Sequence, residues 1–153
     1  MARNGFTLVE MMVVLLVMAL AGGAVMLVVG SGGASVAQDA ARLASRVAAA
    51  RETAITGTRP VSLWVSPSGY GFDLYAGGKW QPQPRGALAP VDWDKGTAVS
   101  TSGIGDGARL GGGAARLTFD NLGLPEGPMT VTLKRDDKTA RVEVAANGDV
   151  AVK

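Results

Sequence analysis

Side chains able to do covalent or acid–base chemistry are few in this sequence. Its 153 residues include no Cys and no His. That excludes disulfide staples, thiolate nucleophiles, thiolate metal sites and imidazole catalysis. Asp92 and Asp94 flank Trp93 and could form a carboxylate pair beside an aromatic ring; the plainer reading is a polar loop with one anchoring Trp. Gly103-Ile104-Gly105-Asp106-Gly107 has the glycines of a phosphate loop, but no Lys-Ser/Thr follows it and no clean strand precedes it. Asp136 and Asp137 sit in a turn between two strand patterns, too short to supply the roughly six to eight oxygens of a calcium cage. The sequence therefore predicts no enzyme, no cofactor and no bound metal. The carboxylate that stands apart is Glu10, placed inside an apolar run. A charge in that position is costly and commonly marks a function. The plain alternative is that Glu10 snorkels to the headgroup layer near the start of a helix.

The run around Glu10 must be positioned by a membrane. Residues 6–29, about 24 residues, are interrupted only by Thr7 and Glu10 among otherwise apolar and small side chains. At ~1.5 Å per residue such a helix exceeds the ~30 Å of a bilayer core. Arg3 precedes the run, so the positive-inside bias keeps the extreme N-terminus cytoplasmic and exports the remainder. On length and hydropathy alone, a cleaved secretory signal with a small-residue site at Ala21-Gly22-Gly23-Ala24, or an uncleaved anchor, fits as well. Neither accounts for Glu10.

Gly30-Ser31-Gly32-Gly33 then forms a Gly-rich joint over residues 30–34, read as a helix break or as a hinge in the stem. Val36, Ala40, Leu43, Val47, Ala50 and Ala54 recur at spacings of three and four, which predicts an amphipathic helix over residues 35–57 with Gly57 as its C-cap. Pro60 prevents much continuation. Arg42, Arg46 and Arg51 lie around that helix. Basic groups in this setting normally form a solvated face, so no nucleic-acid partner is expected. The formal net charge of +2 gives no strong field either.

From residue 58 to 153 the pattern is that of strands. Val61–Val65 and Tyr70–Tyr75 flank Pro67-Ser68-Gly69 as a hairpin, and Gly77-Gly78 turns the chain again. Residues 82–113 are rich in Gly, Pro, Ser and Asp and read as a long loop with short strand candidates such as Ala98-Val99-Ser100. A meander closes the chain: Arg116–Phe119, Met129–Leu133, Ala140–Val144 and Val150–Val152, with Asn147-Gly148 as a hairpin signal. The fold class is α+β: a long N-terminal helix, membrane-spanning in its first half, packed on a C-terminal antiparallel β domain. Alternation places Trp64 and Phe72 in the core. A rival to any assembly role is a membrane-anchored ligand-binding β domain that displays Trp64, Tyr70, Trp80 and Trp93 as an aromatic platform.

Gly5-Phe6-Thr7-Leu8-Val9-Glu10, followed by the apolar run, resembles the N-terminus of type IV prepilins and type II secretion pseudopilins. The resemblance implies that residues 1–5 are a leader. A membrane prepilin peptidase then cuts between Gly5 and Phe6 and N-methylates Phe6, and Glu10 supports assembly. The physics is consistent. Gly5 leaves the bond before Phe6 accessible. In an apolar filament core the new amine and the carboxylate would each be expensive alone, and pairing neutralises both. The pair could form between subunits or within one.

Leu43–Ile55 with Pro60-Val61-Ser62-Leu63, Phe119-Asp120-Asn121-Leu122-Gly123, and Val142-Glu143-Val144 with Asn147-Gly148-Asp149-Val150 are similar to the H-type minor pseudopilins of type II secretion and to minor pilins of the FimT and FimU kind. That resemblance implies a pilin-like fold and a low-copy subunit near the tip of a periplasmic pseudopilus, which helps export folded proteins across the outer membrane. A minor type IV pilin that primes pilus assembly is the neighbouring possibility. The implied partners are other pseudopilins of the filament, the prepilin peptidase, the inner-membrane assembly platform and membrane lipid. The implied location is the inner membrane, crossed once, with residues 58–153 periplasmic.

Overall fold

The computed structural model describes residues 9–18, 35–103 and 109–153. The chain divides into two compact units, residues 1–33 and 34–153. In the first, residues 9–18 are helical. Their apolar side chains, Val9 and Met11 to Met18, are exposed on every side. A helix that is apolar all round needs a non-aqueous or protein environment. Among the described residues no helix is long and apolar enough to cross a membrane. The expected cut at Gly5 and Phe6, residues 19–29 of the apolar run and the joint at 30–34 lie outside the described residues.

The second unit starts with helix α1 (Val36–Gly57). Ser35 is its N-cap: its hydroxyl accepts from the Gln38 N–H, and the Gln38 side chain accepts in return from the Ser35 N–H at 2.8 Å. This capping box satisfies two of the donors a helix start leaves open. The expected periodicity holds. Val36, Ala40, Leu43, Val47, Ala50 and Ala54 are all buried, at 3% exposure or less. The far end differs in one residue from expectation. Gly57 is the last helical residue, and Thr58 takes the left-handed conformation (φ 48°). The Thr58 N–H bonds the Ile55 carbonyl and the Arg59 N–H bonds that of Ala54, each at 3.2 Å. Those two bonds make a Schellman closure, which places its left-handed residue one step beyond the last helical one.

Ten strands follow. The first sheet contains β1 (Val61–Val65), β2 (Gly69–Ala76), β3 (Lys79–Pro82), β4 (Val91–Asp92), β6 (Arg109–Leu110) and β7 (Ala114–Phe119). Its order is β3-β2-β1-β7-β6, with β4 also paired to β2. The second sheet contains β5 (Ala98–Ser102), β8 (Met129–Arg135), β9 (Lys138–Val144) and β10 (Val150–Val152), in the order β10-β9-β8-β5. All the pairings are antiparallel. Helix α1 lies against β1 of the first sheet and β8, β9 and β10 of the second, so one helix face closes both. Leu63, Phe72, Leu117, Phe119, Val131, Leu133 and Val142 fill the core against α1. Each such burial contributes roughly 2 kcal/mol.

The stretch expected as a long loop is organised by anchors. Leu88 is buried in the core, and β4 and β5 belong to different sheets. Trp93 donates its indole N–H to the Ser66 carbonyl at 2.9 Å and stacks on Tyr70 with ring centroids 4.8 Å apart. The chain therefore passes from one sheet to the other between Trp93 and Thr97. Residues 104–108 are outside the described range.

Trp64 departs from its expected place in the core. Val61, Leu63 and Val65 take the inward positions of β1, and Trp64 shares the opposite face with Ser62. It lies flat over β2. A Cβ at Gly71 would sit 2.5 Å from Trp64 Cζ2, so glycine is what permits the close approach. Phe72 is in the core as expected.

Candidate assembly and processing site

Of the expected site residues, Glu10 is described and lies in the helical stretch 9–18, flanked by exposed Val9, Met11 and Met12. Gly5 and Phe6 are outside the described residues. The helical setting puts Glu10 on a rigid element whose other side chains are apolar. Its carboxylate is the one acid between residues 1 and 38. A carboxylate so placed favours a cationic partner over water once the helix is covered.

The other polar clusters hold the globular unit together. Asp39, in the first turn of α1, is 4% exposed and pairs with Arg135 at 2.6 Å. Arg135 also donates to Thr97 Oγ1 at 3.0 Å and lies 3.8 Å from Asp94. One guanidinium thus ties the start of α1, the end of β8 and the approach to β5. Asp92 and Asp94 do not form a carboxylate pair: Asp92 is paired in β4 with Gly69, while Asp94 turns to Arg135. Trp93 between them is the anchor described above.

The arginines of α1 are not all a solvated face. Arg46 donates to the carbonyls of Ala87 (2.9 Å) and Ala89, and its guanidinium stands over the Tyr70 ring at 5.3 Å. Burial pushes the Tyr70 phenol up, and the nearby Arg46 charge opposes that shift. Arg51 donates to the carbonyls of Gly123 (3.1 Å) and Asn147 (3.2 Å). It bridges the two turns whose sequences resemble the closing strands of minor pseudopilins. A Cβ at Gly148, where φ is +84°, would lie 2.7 Å from Arg51 Nε. The glycine of the Asn-Gly step thus makes room for the clamp as well as the turn. Sequence reading missed both roles, because the acceptors are backbone carbonyls with no residue signature.

On the outer face of the first sheet, Arg116 bonds Ser62 Oγ (2.9 Å) and Asp73 (3.0 Å), and its guanidinium lies over Trp80 at 5.4 Å. Tyr75 meets Trp80 edge-on at 5.2 Å. The aromatic face therefore consists of Trp64, Tyr75 and Trp80. Tyr70 and Trp93, expected to share it, belong to the core side. Among the described residues there is no group of His, Cys, Asp and Glu that could hold a metal ion.

A capped helix closing two antiparallel sheets, preceded by an apolar helical stretch with one carboxylate, defines a pilin-like protein. The solved structures agree on the fold. Two structures of the minor pseudopilin EpsH from the type II secretion system of Vibrio cholerae match with TM-scores of 0.61 and 0.63, at 17% and 15% identity. They cover 75% and 77% of this chain and 93% and 95% of theirs. The type IV minor pilin FimU of Pseudomonas aeruginosa matches with a TM-score of 0.54 at 16% identity, over 74% of this chain and 84% of that one. Compared by sequence with individual characterised proteins, the chain has no match. The model of the type II transport protein GspH family matches residues 39–148, and the prokaryotic N-terminal methylation motif matches residues 1–26. The chain belongs to the GspH family.

Proposed function

We propose that this chain works near the tip of a short periplasmic pseudopilus, where it helps drive folded proteins through the outer membrane. The observation that carries the reading is the family match over residues 39–148, together with the methylation motif over residues 1–26. A chain of this family is a minor pseudopilin of type II secretion. Such subunits are membrane-anchored, face the periplasm and assemble with other pseudopilins in a filament; they are structural rather than catalytic.

The finer reading assigns each segment a task. Residues 1–5 are the leader. A prepilin peptidase cuts between Gly5 and Phe6 and methylates the new amine. Residues 6–29 cross the inner membrane once, with the N-terminus cytoplasmic, until the assembly platform extracts the subunit. Residues 30–34 are the joint, α1 with its flanks (35–57) is the periplasmic half of the stem, and 58–153 form the periplasmic β domain. Glu10 pairs with the Phe6 amine of a neighbouring subunit.

A minor pilin that primes a type IV pilus is the second reading, supported by the likeness to FimU. Deleting the gene separates the two. The secretion role predicts that folded exoproteins accumulate in the periplasm while surface pili remain. Loss of pili with normal secretion contradicts it.

A further inference from the structure

Among the described residues the two sheets end in four edges, and three of them are blunted. Strand β3 carries Lys79 at one end and Pro82 at the other, both devices that blunt an edge. Strand β6 has only two residues. Strand β10 has three. Strand β5 has none of these protections. It is five residues long, Ala98-Val99-Ser100-Thr101-Ser102, with no charge and no proline, and among the described residues β8 is its sole strand partner. Alternate residues are exposed, while Val99 packs on the core. A neutral, regular edge of this kind is a template for another strand.

Beside that edge the outer face of the second sheet forms an open basin of about 280 Å3, lined by Ala98, Val99, Ser100, Thr132, Lys134 and Thr139. The volume suits one or two side chains rather than a drug-sized ligand. Register places Lys134 opposite Ala98 on one side and Thr139 on the other. Lys134 is exposed and makes no ion pair among the described residues. The basin is therefore a mainly apolar seat with one charged residue, Lys134, beside a strand edge that no other described strand pairs. Main-chain pairing supplies affinity in strand addition, and pockets for alternate side chains supply selectivity.

We propose that β5 is extended by a strand from another pseudopilin of the same filament, with an Asp or Glu of that strand seated in the basin against Lys134. The charge of the basin selects an acidic side chain, and the edge selects an extended backbone. Five residues of pairing are a small contact. They suffice where the partner is held at high effective concentration, as neighbouring subunits of one filament are. The inference thus rests on the filament role proposed above.

The test places a photo-crosslinking benzophenone side chain at Ser100 of the full-length chain, in cells that carry the whole secretion machinery. Incorporation is read separately, by co-sedimentation with the other pseudopilins. The expected result is an adduct with a different pseudopilin, mapped to an extended segment containing Asp or Glu. Lys134→Glu is expected to cut the adduct about tenfold, since it turns a close attraction into a repulsion, while the chain still co-sediments. A chain that co-sediments without the adduct overturns the inference. So does an adduct with an exported protein or a second copy of this chain, or one insensitive to Lys134→Glu. A chain that does not co-sediment at all overturns the proposed function, and this inference with it.

Discussion

The Glu10→Ala chain is expected to lose its leader normally and then to enter filaments on the order of 100-fold less than the parent. In the proposed processing, cleavage depends on Gly5 and Phe6, five and four positions from Glu10 in the sequence, so it should not register the change. Assembly should. In the proposed bundle of stems the new amine of a Phe6 would have apolar neighbours, since every other side chain described between Val9 and Met18 is apolar. Removing one partner of a buried charge pair costs about 3–5 kcal/mol, because the remaining charge is left uncompensated. Taken at the lower half of that range, each tenfold step being about 1.4 kcal/mol, the incorporation equilibrium falls by two orders of magnitude. Glu10→Gln keeps shape and hydrogen bonding but not charge, and should lie between the two. Immunoblots of membrane and sheared-filament fractions read both steps at once. Glu10→Ala subunits entering filaments as well as the parent would show that the carboxylate is not what drives assembly.

The largest effect within the unit of residues 34–153 is expected at Asp39. Asp39→Ala should lower the stability of the folded unit by about 2–3 kcal/mol. Asp39 and Arg135 have side chains 4% and 16% exposed. Removing the carboxylate strands a guanidinium in a poorly solvated place. The loss stays at or below the lower end of the usual range because Arg135 keeps Thr97 and has Asp94 nearby. Against a total of roughly 5–15 kcal/mol, that is a large fraction. In thermal unfolding of residues 34–153 it corresponds to roughly 6–15 °C. The paired change Asp39→Leu with Arg135→Met should recover part of the loss, since it removes both charges together. A change below about 0.5 kcal/mol for Asp39→Ala would mean that the pair contributes little.

Which parts were legible in the sequence follows from how local their causes are. Helix α1 was readable from six apolar positions at spacings of three and four, and all six are buried. The turns were readable because Gly77-Gly78, Asp136-Asp137 and Asn147-Gly148 carry their own backbone preferences. The partition into two sheets was not readable. Ala98–Ser102 pairs with Met129–Arg135 some thirty residues later, and nothing in the short strand names that partner. Trp64 was misplaced because the alternation was read with it inward; Val61, Leu63 and Val65 take the inward positions, and Gly71 gives Trp64 a flat seat outside.

The arginine clamps were the least legible. Arg46, Arg51 and Arg135 reach partners 41, 72 and 96 residues away. Two of the three bind backbone carbonyls, which every residue possesses. For the candidate site the balance is reversed. Gly5, Phe6 and Glu10 are named by the resemblance of one short local motif, which needs no tertiary contact to be read; of the three, Glu10 is among the described residues.

The N-terminus of the purified protein decides the account most directly. Expressed with a prepilin peptidase, the chain should have the intact mass of one that begins at N-methylated Phe6; without the peptidase it should retain residues 1–5. An uncut chain in both cases, or a cut near Ala24 in either, would contradict the proposed processing and the assembly role built on it.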